Sequence, residues 1–186
     1  EWWVVWHSAI SNNDGDWGAF NRTDGWRIGG ETMYDASGFT SSTFGVIGGA
    51  SGVNVNGATQ VSYCFHDVAG YSKFGSYSGT GGTHTITTGF TPAFIIIKRT
   101  DDNTTGNWTM WDNTRNPNNP VTQLLRANTS GAEETKTDRE PSFLSTGFSI
   151  GDSDSDTNAS GGNYIYAAFA DTREYAYWLD QSGNNN

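Results

Sequence analysis

Hydrophobic and polar positions in this chain alternate with a period of two, the spacing of a strand with one buried face, far more often than with the 3.6-residue period of a helix. "TQVSYCFH" at residues 59–66 follows it, and "NYIYAAFA" at residues 163–170 sets its aliphatic Ile165 and aromatic Phe169 on one of the two faces. One segment departs from alternation. "AFIIIKR" at residues 93–99 is a continuous apolar run with "TP" before it and "TDDNTTG" after it, as expected of a central strand buried on both faces. Gly, Asn and Asp clusters separate the runs and mark turns. The pattern predicts strands at residues 73–79, 83–88, 93–100, 107–112, 122–126, 147–150 and 163–170, and one short helix at residues 132–137. The fold class this defines is all-β, a β-sandwich of jelly-roll-like modules.

Self-comparison adds an internal repeat of about 104 residues. "NGATQVSYCFHD" from Asn56 aligns with "SGGNYIYAAFAD" from Ser160, setting Gly57 on Gly161, Val61 on Ile165 and Phe65 on Phe169. At the same spacing "GFTSSTFGVIG" from Gly38 falls on "SFLSTGFSIGD" from Ser142. Further upstream the spacing becomes 105, and "WVVWHS" from Trp3 falls on "WTMWDN" from Trp108. The domain reading is therefore a C-terminal part of a first repeat at residues 1–70, a complete second repeat at 71–172, and a tail or linker at 173–186. The first repeat lacks a counterpart of residues 74–107, so its N-terminal strands are expected upstream or absent. Val61, Tyr63 and Phe65, like Ile165, Ala167 and Phe169, are assigned to core faces. Tyr164 and Tyr166 then lie on the opposite face, where they are candidates for an interface with a neighbouring module or subunit.

Composition narrows the functional classes. A net charge of −10 with scattered Lys and Arg argues against nucleic acid as a partner, and the absence of a long apolar run argues against membrane insertion. The single cysteine, Cys64, excludes an internal disulfide and reads as a small buried residue. Asp14, Asp16, Asp24, Glu31, Glu133 and Glu134 stand in polar surroundings that predict ordinary, solvated carboxylates, unlike the raised acid that sugar hydrolysis requires. No enzyme activity is expected.

Two constellations are candidates for binding. Asp152, Asp154 and Asp156 alternate in "GDSDSDTNASGG" like the oxygen ligands of a calcium loop, but no glycine follows Asp156 and Asn163 stands where a bidentate acid is needed. A solvated loop and a weak calcium site are both compatible with this; no other cofactor is expected. Trp17 and Trp26 lie in "DGDWGAFNRTDGWRIGG" with Asp24 and Arg27 interleaved, at positions aligned with Thr122 and Gly131 of the second copy. An exposed indole beside donors and acceptors stacks on a sugar face. The same tryptophans could instead cap the first copy or anchor an interface.

"YCFHDVAGYSKFGSYSGTG", "GFTPAFIIIKRTD", "NWTMWDNTRNPNNPV", "FLSTGFSI" and "SGGNYIYAAFA" together resemble a repeat domain of unknown function found in tail-fibre and other surface proteins of marine tailed phages, particularly those infecting cyanobacteria. The resemblance covers nearly all of residues 1–172 and supplies no catalytic residue. It implies a virion surface location, outside the cell after synthesis in the host cytoplasm. The partners it implies are identical subunits in a trimer or lattice, other virion proteins, and host-surface glycans. The expected function is a tail-fibre or head-decoration module for glycan attachment. A purely structural self-assembling subunit and a secreted carbohydrate-binding module are the alternatives.

Overall fold

The computed structural model describes residues 2–9, 16–28, 32–50, 52–101, 106–138 and 140–171. Among these, helical structure is confined to one 3-10 turn, Ala36–Gly38, and the remainder is strands and turns. Four short strands come first: β1 (Val4–Val5), β2 (Gly18–Ala19), β3 (Tyr34–Asp35) and β4 (Gly45–Val46). The longer strands follow as β5 (Ser72–Ser78), β6 (His84–Thr87), β7 (Pro92–Arg99), β8 (Trp108–Asp112) and β9 (Gln123–Arg126), then β10 (Glu134–Thr135), β11 (Pro141–Leu144), β12 (Gly147–Ile150) and β13 (Asn163–Ala170). The helix expected at residues 132–137 is absent. Its centre is β10, held in extended form by pairing with Leu124 and Gln123 of β9, so sheet hydrogen bonds outweigh the helix propensity of two glutamates.

Two sheets face each other. The larger runs β10-β9-β8-β7-β13-β5 and the smaller β11-β12-β6, all neighbours antiparallel. Their shared core takes Ile95, Ile97, Trp111, Leu124, Tyr164 and Tyr166 from the first and Ile86, Phe143, Phe148 and Ile150 from the second. β7 lies between β8 and β13, and its alternate positions divide between two apolar clusters, Ile95 and Ile97 in the sandwich and Ile96 on the outer face. This is why the run carries no polar alternation.

The outer face of the larger sheet is covered by the N-terminal region, which brings Trp26 onto Ile96, Trp108 and Ile165. Lys98 fastens it: 1% exposed, its ammonium donates to the carbonyls of Gly106 (2.6 Å) and Asp24 (3.1 Å). The face assignment of β13 is thereby reversed. Tyr164, Tyr166 and Ala168 point into the sandwich, whereas Ile165 packs outward under the N-terminal region. Residues 59–66 depart further from expectation: they form no strand, and Val61, Tyr63 and Phe65 are 67%, 68% and 66% exposed. A small separate core of Trp17, Ala19, Met33 and Ala50 supports the N-terminal region.

Several local hydrogen-bond patterns occur twice. The amides of Val53 and Asn54 donate to Ala50 O, and that of Ala58 to Val55 O; Thr157 and Asn158 do the same to Asp154 O, and Gly162 to Ala159 O. Gly57 and Gly161, one step before the last donor, have φ of 77° and 78°, a region L side chains avoid. β1 pairs with β2 as Val4 opposite Ala19 and Val5 opposite Gly18, while β8 pairs with β9 as Thr109 opposite Arg126 and Met110 opposite Leu125. Beside them Phe20 N donates to Trp3 O, and Ala127 N to Trp108 O. Trp3 N donates to Asn21 Oδ1 at 2.9 Å, and Trp108 N to Asn128 Oδ1 at 3.0 Å.

Candidate functional site

Trp17 and Trp26 are 2% and 1% exposed, so neither offers a ring face to a sugar. Trp17 stands opposite Arg27 in an isolated bridge, as Leu124 stands opposite Glu134 between β9 and β10. Its pairing therefore matches that of the core residue Leu124, two positions from Thr122, on which the sequence alignment sets it. Trp26 is buried against Trp108, ring centroids 6.4 Å apart. Gly18 permits this, since a Cβ there would lie 2.6 Å from the Trp26 ring.

Asp24 and Arg27 are likewise committed internally. One Asp24 oxygen accepts from Arg22 and from Arg27, with Nη2 of each at 2.7 and 3.1 Å. The two guanidiniums lie over Trp2 and Trp17, and those indoles stack at 5.5 Å. The result is a partly exposed cation–aromatic stack clamped by one carboxylate. Exposed aromatic surface is instead supplied by Trp3 (53%) and Tyr63 (68%), whose rings stack at 6.1 Å. The alternation of "TQVSYCFH" could have flagged Tyr63, but exposure reversed the reading of that pattern.

Tyr164 and Tyr166 lie in the core of the sandwich rather than on an outward face. They are 0% and 5% exposed, Tyr164 stacks on Tyr77 at 5.1 Å, and Tyr166 meets Phe148 edge-on at 5.4 Å. The Tyr164 hydroxyl accepts from Ala159 N and donates to Ser155 O, which lets a phenol sit in the core without an unpaired group. Cys64 is exposed rather than buried.

The acidic loop is wired for turns. Asp152 Oδ1 accepts from Asp154 N and the Thr157 hydroxyl, both at 2.8 Å, and Asp154 Oδ1 accepts from Asp156 N at 2.9 Å. Asp156 accepts from the backbone and side-chain amides of Asn107. The carboxylates do not converge, and among the described residues no group of three or more His, Cys, Asp or Glu side chains is placed to hold a metal. The alternation that suggested calcium is that of successive Asx turns.

Other carboxylates find cationic partners. Glu133 pairs with Arg115, and Glu134 with Lys136 and Arg126, whose hydrogen bonds hold its carboxyl pKa below the usual carboxylate range. Asp16 is buried, contrary to the solvated position expected, while Asp14 and Glu31 lie outside the described residues. A hollow of about 540 Å³ lies where the ends of β5 and β13 meet the N-terminal region. Polar Asp16, Ser78 and Asn163 and apolar Trp26, Ile28 and Tyr164 line it in near-equal measure, and Ser78 Oγ already donates to Asn163 Oδ1.

The geometry defines the class first: an all-β protein of two packed sheets carrying a small β-rich N-terminal region. A family model for a domain of unknown function, DUF7483, matches residues 1–173, and the chain belongs to that family. Comparisons with curated proteins and with solved structures return no match.

Proposed function

We propose that this chain is a non-enzymatic module of a phage particle's surface, part of a tail fibre or head-decoration protein built from jelly-roll-like sandwich repeats of about 104 residues. The observation that carries the reading is the recurrence of hydrogen bonds along the two halves. The turn bonds of residues 50–58 recur at 154–162 with a constant spacing, and the β1–β2 register, its flanking backbone bond and its asparagine cap recur in β8–β9. Independent loops have no reason to share donor, acceptor and spacing at so many points. Serial repetition of a sandwich suits a protein that extends or coats a surface, and the motifs from "YCFHDVAGYSKFGSYSGTG" to "SGGNYIYAAFA" support the phage assignment by resemblance. Immunogold labelling with antibody raised against this chain tests it: intact virions of the encoding phage label on their exterior. Labelling confined to infected-cell lysate, with bare particles, overturns it.

A glycan-attachment role is favoured by a different observation from the one that first suggested it. Trp17 and Trp26 are buried, but the hollow of about 540 Å³, lined by Asp16, Ser78 and Asn163 together with Ile28 and Tyr164, is of ligand size. Asn163→Ala with Ser78→Ala reduces binding on a host-polysaccharide array if this cavity is the contact. Unchanged binding, or none in the parent chain, removes attachment and leaves assembly as the role.

A further inference from the structure

The two packed sheets end in the edge strands β10, β5, β11 and β6, and the first three are blunted. β11 is closed by Asn119, whose side-chain amide donates to Phe143 O at 2.9 Å and accepts from Phe143 N at 2.8 Å, and by Val121 N, which donates to Pro141 O. On β5 the outward amides of Ser72 and Phe74 donate to Val68 O and Asp67 Oδ1, and Lys73 pairs with Asp67. β10 is two residues long and carries Glu134, paired with Arg126 and Lys136. Caps, charges and shortness all keep a sheet edge from recruiting another chain.

β6 has no such protection. Its sequence is "HTIT", and its one neighbour is β12, "GFSI"; in a chain of net charge −10 neither strand holds an acid, a lysine or an arginine. Thr88 N donates to Thr146 O at 2.9 Å, in line with the β6–β12 register of Ile86 opposite Phe148 and His84 opposite Ile150. Ladder bonds alternate along an antiparallel pair, so the backbone groups of His84 and Ile86 also face β12. Those of Thr85 and Thr87 face away from it. Both residues are exposed, and their outward amides and carbonyls meet no partner among the described residues.

We infer that β6 pairs antiparallel with β6 of a second copy, joining the smaller sheets of the two chains into one across a two-fold axis. The edge is complementary to itself. With Ile86 on the axis, Thr85 of each copy stands opposite Thr87 of the other, and every outward amide and carbonyl of the two strands gains a partner. The cross-strand pairs are then threonine with threonine on the solvent face and isoleucine with isoleucine on the core side, both favourable, and no like charges meet. β5 of a second copy fits less well, because Val68 and Asp67 already hold its first outward amides. A strand of four residues supplies few bonds, so the dimer is weak and forms at high concentration or where copies are held close together.

Sedimentation velocity of the full chain, from micromolar to millimolar concentration, tests this, and a reversible equilibrium between monomer and dimer is expected. Thr85→Lys with Thr87→Lys sets like charges across both threonine pairs and is expected to raise the dissociation constant at least about tenfold. The two lysines also reduce the net charge of −10, which by itself favours association, so a loss reports the local pairing. Thr85→Lys with Thr87→Glu sets opposite charges across the same pairs and keeps the constant within about threefold of the original. All these substitutions fall on exposed side chains, and melts of the dilute variants are expected to match that of the original. A chain that stays monomeric at millimolar concentration overturns the inference. Equal loss in both variants overturns it by breaking the stated register, and dimers indifferent to both overturn it by placing the contact elsewhere. None of these results bears on the immunogold outcome, so the two readings fail separately.

Discussion

At the residue scale, the side chains that looked functional are those doing the packing. Trp26→Ala removes an indole from beneath the larger sheet's outer face and is expected to cost about 3–5 kcal/mol. Chemical denaturation measures it, and the loss appears in stability before any binding assay can be read. Lys98→Ala leaves the carbonyls of Gly106 and Asp24 without that donor, at a cost of about 1–3 kcal/mol; Asp24→Ala, which keeps the accepting carbonyl, spares this contact. Gly57→Ala and Gly161→Ala meet no atom within 4 Å, so each pays only for its positive φ. Thermal melts should show similar losses of about 1 kcal/mol for the two. Acid acts in two stages. His7 is held below the ordinary imidazole range by burial. The unfolded chain therefore takes up the proton first, and stability falls as pH drops below about 6.5. Asp112 is held below the carboxylate range by Arg115 despite partial burial, and Asp101 by Arg99. Their contributions persist to lower pH and vanish as pH falls through their depressed values. His7→Gln should remove the upper stage and leave the lower one, as read from melting temperature against pH.

At the element scale, the second half was largely legible. The predicted strands 93–100, 107–112, 122–126 and 147–150 match β7, β8, β9 and β12 within one residue at each end, and 163–170 is β13. Short-range pattern sufficed there because every strand finds neighbours and alternation becomes burial. What alternation cannot state is which face meets which layer. β13 is covered on both sides, so Tyr164 and Ile165 are both buried and the choice of core face was invisible until the N-terminal region was seen on the sheet. The same blindness affected "TQVSYCFH", whose pattern is that of β13 but which lacks β13's partners. The binding candidates failed for a related reason: polar residues around Trp17 and the three aspartates signalled turns, and turns use those same groups to satisfy their own amides. Calcium or EDTA should consequently leave the melting temperature unchanged; a calcium-dependent rise would show that Asp152, Asp154 and Asp156 rearrange to bind.

At the scale of the whole molecule, the two halves share local hydrogen-bond patterns but are built differently. One is a closed two-sheet core; the other spreads over the outside of that core, held by Trp26 and Lys98. Cys64 gives this arrangement a chemical consequence. It is exposed and is the single cysteine of the sequence. An added oxidant can join two copies of this chain through that thiol, so a dimer band on a non-reducing gel reports whether neighbouring copies approach through that segment. Cys64 thus supplies, on an exposed stretch, a proximity label for neighbouring copies.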